Sequence, residues 1–179
     1  MGTYPRWIYY PNSLAPPDWV KDFIAVVSAV RADIDSSVAR ENSLSSDTVL
    51  KLLEPGLRDL HYSIEDGKSK TRKLRRPVLF GEGGEEQVAF EVDAFHEELG
   101  VLVEIEAGRG AQSNAVYRDL VRSSLIVGAS YLALGVMAEY HYANSSVTQS
   151  FQVSKSLLDA IFASGRLRFP FQGILLFGY

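Results

Sequence analysis

Cysteine is absent from the 179 residues. That excludes disulfides, thiolate metal centres and thiol nucleophiles. Histidine is scarce: His61, His96 and His141 are the whole complement. They lack metal-ligand spacing, and no motif supports a Ser-His-Asp triad. No apolar run approaches the ~18 residues that a membrane span needs. The opening MGTYPRWIYYPNS lacks the basic-then-apolar layout of a secretory leader. A cytoplasmic protein without a membrane segment or an organic cofactor is the expectation. Asn144-Ser145-Ser146 fits a glycosylation acceptor by pattern only, and no leader accompanies it.

Charge is missing locally too. Residues 81–106 contain no Lys or Arg but nine acids, and no lysine lies between Lys73 and Lys155. Just upstream, Lys68, Lys70, Arg72, Lys73, Arg75 and Arg76 place six positive charges in residues 68–76. The net charge of −4 hides this division. A basic stretch beside an acidic one sets a polyanion next to a cation site, although solvated charge runs are the commoner reading. With 46% apolar residues, a chain of this length builds one core without staples.

The coarse pattern is α/β. Trp19, Val20, Phe23, Ile24, Val27 and Val30 repeat at helical spacing over about residues 17–31. Ser46 or Asp47 caps a second helix, which Pro55-Gly56 is expected to break or kink. Segments 62–65 and 78–80 look extended. Phe90-Glu91-Val92-Asp93-Ala94 and Val101-Leu102-Val103-Glu104-Ile105-Glu106 then alternate with a period of two. The first has Phe90, Val92 and Ala94 on one face, and the second has Val101, Val103 and Ile105 on one face. A helical segment from Val116, a strand over 131–137, a helix through Leu157 and a last strand over 173–177 follow. Crossover helices between strands imply parallel pairing in a mixed sheet flanked by helices. Residues 1–46 are expected to form a helical extension packed on a core of residues 47–179, within a single domain.

If the turn spans Glu97 to Gly100, Asp93 faces Glu104, Glu91 faces Glu106, and four carboxylates share a face. Like charges across a ladder destabilise it. Facing carboxylates raise a pKa or recruit a cation, and hard Mg²⁺ or Mn²⁺ prefers such oxygen ligands. A wet hairpin with a charged outer face is the competing reading. The position of the second strand, leading into a crossover helix, favours a central, covered strand.

Val92-Asp93, ten residues, then Glu104-Ile105-Glu106 resembles the active-site hairpin of the PD-(D/E)xK, or restriction-endonuclease-like, nuclease superfamily. The resemblance runs from about residue 47 to 179, some three quarters of the chain. A valine stands where the motif has proline, and Glu106 stands where it has lysine. The resemblance implies that Asp93, Glu104 and Glu106 ligate Mg²⁺ or Mn²⁺, with Glu106 alternatively orienting and deprotonating the attacking water. It implies that Glu54, on the preceding helix, assists from beyond the metal's own ligands, and that the metal or Arg109 replaces the lysine. The substrate it implies is double-stranded DNA, cut by a type II restriction-like enzyme, possible as a homodimer.

Lys70, Arg72, Lys73, Arg75, Arg76 and Arg109 are the candidate contacts to nucleic acid, because clustered cations release counterions on meeting its backbone. The alternative function is a non-catalytic nucleic-acid-binding or protein-interaction domain with a degenerate site. A small-molecule phosphatase is a third reading. Gly108-Arg109-Gly110 is not read as a dinucleotide loop, since Ser113 replaces the third glycine and carboxylates precede it. Gly81-Glu82-Gly83-Gly84 lacks the Gly-Lys-Ser/Thr of a phosphate loop.

Overall fold

The computed structural model describes residues 4–38, 44–65, 74–107, 114–142 and 146–179. The chain begins with β1 (Arg6–Tyr10), α1 (Asp18–Ala29), α2 (Arg31–Ile34), α3 (Ser46–Asp59) and β2 (Ser63–Ile64). Next come β3 (Leu74–Phe80), β4 (Glu86–Val92), β5 (Ala94–His96), β6 (Val101–Glu106) and α4 (Ala115–Ser124). It finishes with β7 (Tyr131–Val136), β8 (Tyr140–His141), β9 (Val147–Thr148), α5 (Ser150–Ser164) and β10 (Gly173–Gly178). Six strands make the central sheet in the order β1-β10-β7-β6-β5-β2. The β6, β7 and β10 strands run parallel, joined by α4 and α5, while β1, β5 and β2 pair antiparallel.

Both faces are covered. On one, α1 and α3 lay Phe23, Val27, Val49, Leu53 and Leu57 against Val101, Val103, Ile105, Leu175 and Phe177. On the other, α4 and α5 set Val116, Leu120, Phe151 and Leu158 against Leu102, Leu132, Leu134, Ile174 and Leu176. Each large apolar side chain removed from water contributes about 1.5–3 kcal/mol. The period of two along β6 therefore sends Glu104 and Glu106 to the α4 side, with Leu102.

Close packing leaves little tolerance beside the site. A Cβ on Gly135, between Ile105 and Phe177 in the sheet, would stand 2.6 Å from Phe177 Cζ and 2.9 Å from Ile105 Cδ1. Gly135→Ala is expected to destabilise the protein by about 1–3 kcal/mol through this overlap. Urea unfolding checks it, and an unchanged midpoint would show that the two side chains yield freely.

Several local expectations change. The helix α3 starts as expected, with Ser45 Oγ accepting from Thr48 N at 3.2 Å, but it runs through Pro55 to Asp59. Its buried stripe of Val49, Leu50, Leu53 and Leu57 offsets the hydrogen bond that proline removes, and Gly56 permits close approach to Val26. Segment 1–46 supplies more than helices: β1 forms an edge of the sheet, pairing Trp7 with Phe177 and Tyr10 with Ile174.

The largest change is at Asp93. The strand expected over 90–94 is broken there. The β4 strand pairs with β3 as a separate ribbon, whereas β5 joins β6. Val92 packs on the α4 side and Ala94 on the α1/α3 side, so Phe90, Val92 and Ala94 do not share a face. The cause is a contact between strands: Asp93 Oδ2 accepts the backbone N–H of Ile105 at 2.7 Å, so a side chain stands in for a ladder acceptor. Asp93's own carbonyl accepts from Glu65 N at 2.9 Å. Glu91 leaves with the ribbon and lies opposite Arg75, not Glu106.

Candidate active site

The break brings the acids together. The pairing of Ala94 with Val103, Phe95 with Leu102 and His96 with Val101 extends by one step to set Asp93 beside Glu104. That is the register the turn at Glu97–Gly100 predicts. Glu104 sits mid-sheet on β6, between β5 and β7. Its carboxyl is held well above the usual range, first by burial, then by the charges of Asp93 and Asp119. Arg122 pulls it the other way, and Glu106 adds a smaller upward push. An acid this unwilling to ionise among other acids is a group that a cation would relieve.

Glu106 ends β6. Burial, then the neighbouring Asp119 carboxyl, push its carboxyl up to about 8, against the opposing pull of Arg118. Arg118 Nη2 lies 2.5 Å from Glu106 Oε1, and its Nε lies 3.0 Å from Asp119 Oδ1. The guanidinium in turn has its own pKa raised by the two acids, Asp119 foremost. Tyr179 donates its hydroxyl to the Glu106 carbonyl at 3.0 Å, fixing the backbone from the opposite side. Glu106 thus stands beside Asp93 and Glu104 on the α4 side of the sheet.

Asp119 is a residue of the site that the sequence analysis does not single out. It is 4% exposed, and its Oδ2 has no hydrogen-bond partner. The signal was available: Val116, Asp119, Leu120 and Ser123 fall on one helical stripe. That stripe faces β6.

The other expected site residues are dispersed. Glu54 accepts from Arg58 Nε at 2.8 Å, on a helix that covers the other face of the sheet. The structure does not bring it to the acids. Arg76 is paired with Glu97 (Nη2 to Oε2, 3.0 Å) and lies 3.9 Å over the Phe95 ring. Arg75 lines a groove with Ala89, Phe90, Glu91 and Arg122. Lys70, Arg72, Lys73 and Arg109 lie outside the described residues.

Among the described residues, no three His, Cys, Asp or Glu side chains stand close enough to hold a metal unaided. The donor set still fits magnesium. This ion commonly takes one or two protein carboxylates and completes its octahedron with water and substrate phosphate. Asp93 and Glu104 are such a pair, all-oxygen and charge-burdened. No helix among the described residues is long and apolar enough to cross a membrane.

No protein-family model matches this chain, and no curated protein matches it. A solved structure does: restriction endonuclease BglII complexed with a DNA 16-mer, with a TM-score of 0.58 at 12% identity. The match covers 98% of this chain and 78% of that one. With its mixed central sheet flanked by helices, the chain has a restriction-endonuclease-like fold.

Proposed function

We propose that the protein is a divalent-metal-dependent nuclease that hydrolyses phosphodiester bonds of double-stranded DNA, in the manner of a restriction endonuclease. The observation that carries this reading is the convergence of Asp93, Glu104 and Glu106 where β4 departs from the central sheet. That convergence lies on a fold shared with an enzyme solved on DNA. Asp93 and Glu104 would hold Mg²⁺ or Mn²⁺. The ion would activate water and neutralise charge developing on the phosphate.

The remaining roles belong to the chain. Asp93 is anchored by the backbone N–H of Ile105, which fixes its carboxylate beside Glu104. Glu106, whose carboxyl burial and Asp119 hold above the ordinary range, accepts a proton from the attacking water as a positioned general base. Arg118 orients that carboxyl. No lysine stands at the position of Glu106, so the stabilising positive charge comes from the metal and from arginine. Glu106 lying among the other acids favours the enzyme over a non-catalytic binding domain, in which it would be free to face solvent.

The test is incubation of purified protein with plasmid and linear duplex DNA in Mg²⁺, Mn²⁺ or EDTA. Cuts that require the metal support the reading, and discrete fragments add sequence specificity. Cleavage that persists in EDTA would overturn the metal-dependent mechanism. Intact DNA across varied sequences would favour the non-catalytic domain.

A further inference from the structure

We infer that the groove lined by Arg75, Phe90, Glu91 and Arg122 is a nucleotide subsite, taking one nucleotide of the substrate strand beside the phosphate to be cut. In it the two guanidinium groups hold phosphate and Phe90 supports the base. The inference rests on the nuclease reading and adds residues to it.

Four observations converge. The groove is open and has a volume of about 400 Å³, within the range of small-ligand sites. Among the described residues, neither of its arginines is ion-paired with a carboxylate at salt-bridge distance. Arg31, Arg58, Arg76 and Arg118 each pair with a carboxylate. By contrast, among the described residues Arg75 and Arg122 donate hydrogen bonds to the backbone carbonyls of Ala89 and Glu91, at 3.4 and 3.5 Å. Most of their donors remain available for the bidentate geometry that phosphate accepts.

The position is the third observation. Arg122 lies one turn beyond Arg118 on α4, near enough for its charge to act on Glu104. Glu91 is two residues before Asp93. The groove therefore opens directly beside the acids.

Last, Arg122 lies 5.2 Å over the Phe90 ring, and bases stack on such aromatic and guanidinium surfaces. Glu91 is exposed and lies directly opposite Arg75 in the ribbon, where it can accept from an exocyclic amino group of a base.

The experiment measures anisotropy of a labelled DNA duplex in EDTA over a salt series, with cleavage in Mg²⁺ read in parallel. The variants are Arg75→Gln with Arg122→Gln, and Phe90→Leu alone. A control, Arg166→Gln with Arg168→Gln, removes the same charge from exposed residues just before β10. These lie at the opposite end of the parallel strands from Glu106.

Replacing both groove arginines is expected to weaken binding by roughly a hundredfold. Their double replacement should flatten the salt slope by about two contacts. Phe90→Leu should weaken binding and leave the slope unchanged. Groove variants that bind like wild type, or lose no more than the control, would overturn the subsite. If wild type cuts DNA and the groove variants cut with unchanged KM, the subsite falls and the nuclease reading stands. If wild type binds through the groove and never cuts, the subsite stands and the nuclease reading falls. Wild type that neither binds nor cuts DNA ends both.

Discussion

Replacing Glu104 by glutamine is expected to reduce metal-dependent DNA cleavage by on the order of a thousandfold or more. The substitution keeps the shape of a side chain that is already largely enclosed on a central strand, so the fold should survive. What it removes is the charge that would hold the cation. Gel-based cleavage under single-turnover conditions measures the loss, and intact circular dichroism confirms that the fold is unaffected. Glu106→Ala should behave differently, with a smaller loss of about a hundredfold, the scale of a positioned general base. Part of that loss should be recovered as pH rises and hydroxide replaces the missing base. If Glu104→Gln cut at the wild-type rate, this acid would not be a metal ligand, whatever its surroundings.

The same acids make the metal-free protein pH-sensitive. The carboxyls of Glu104 and Glu106 both sit above the ordinary value of 4.5, Glu106 at about 8. Below the ordinary value, folded and unfolded chains both carry the protons. As pH climbs from 4.5 towards 8, the unfolded chain releases them first, and the folded chain must keep them or bear buried repulsion. Stability in EDTA is therefore expected to fall as pH rises through that window. The drop should appear as a Tm decrease of roughly several degrees.

Glu104→Gln should flatten this decline and raise the Tm at pH 8, and added Mg²⁺ should raise the wild type while leaving the variant unmoved. Asp35 and Asp159 have lowered carboxyl pKa values and act only in more acidic solution. They do not obscure the window. Differential scanning fluorimetry across pH reads the effect. Parallel curves for wild type and Glu104→Gln would mean that the acids do not strain the apo fold.

The site therefore loses stability for its chemistry, which explains why its elements are legible to different degrees. The register of Asp93 beside Glu104 could be read because β6 alternates cleanly and the turn at Glu97–Gly100 fixes the offset. The break at Asp93 could not. The alternation Phe90-Glu91-Val92-Asp93-Ala94 runs through it unperturbed, and the strand ends only because a side-chain oxygen captures Ile105 N. That is a tertiary event with no local composition signal. Glu91 was misplaced for the same reason.

Asp119 was legible in principle, since helical spacing puts it on the buried stripe with Val116, Leu120 and Ser123. Its charge argued for the surface, and burial among acids is the kind of local conflict that functional sites carry. The continuation of α3 through Pro55 shows packing overriding propensity. The aromatic lead Trp7 to Tyr10 has the β-branched and ring-rich composition of a strand, but its pairing with β10 spans almost the whole chain. Proximity of that kind is set by the fold alone.

The most direct test of the account sets wild type beside Asp93→Asn on the same plasmid DNA in Mg²⁺. Asp93 is the residue on which the strand break and the acid cluster depend. The account predicts cuts by the wild type and none by the variant, with both proteins folded. Equal cleavage by the two, or cleavage by neither on DNA of broad sequence content, would contradict it.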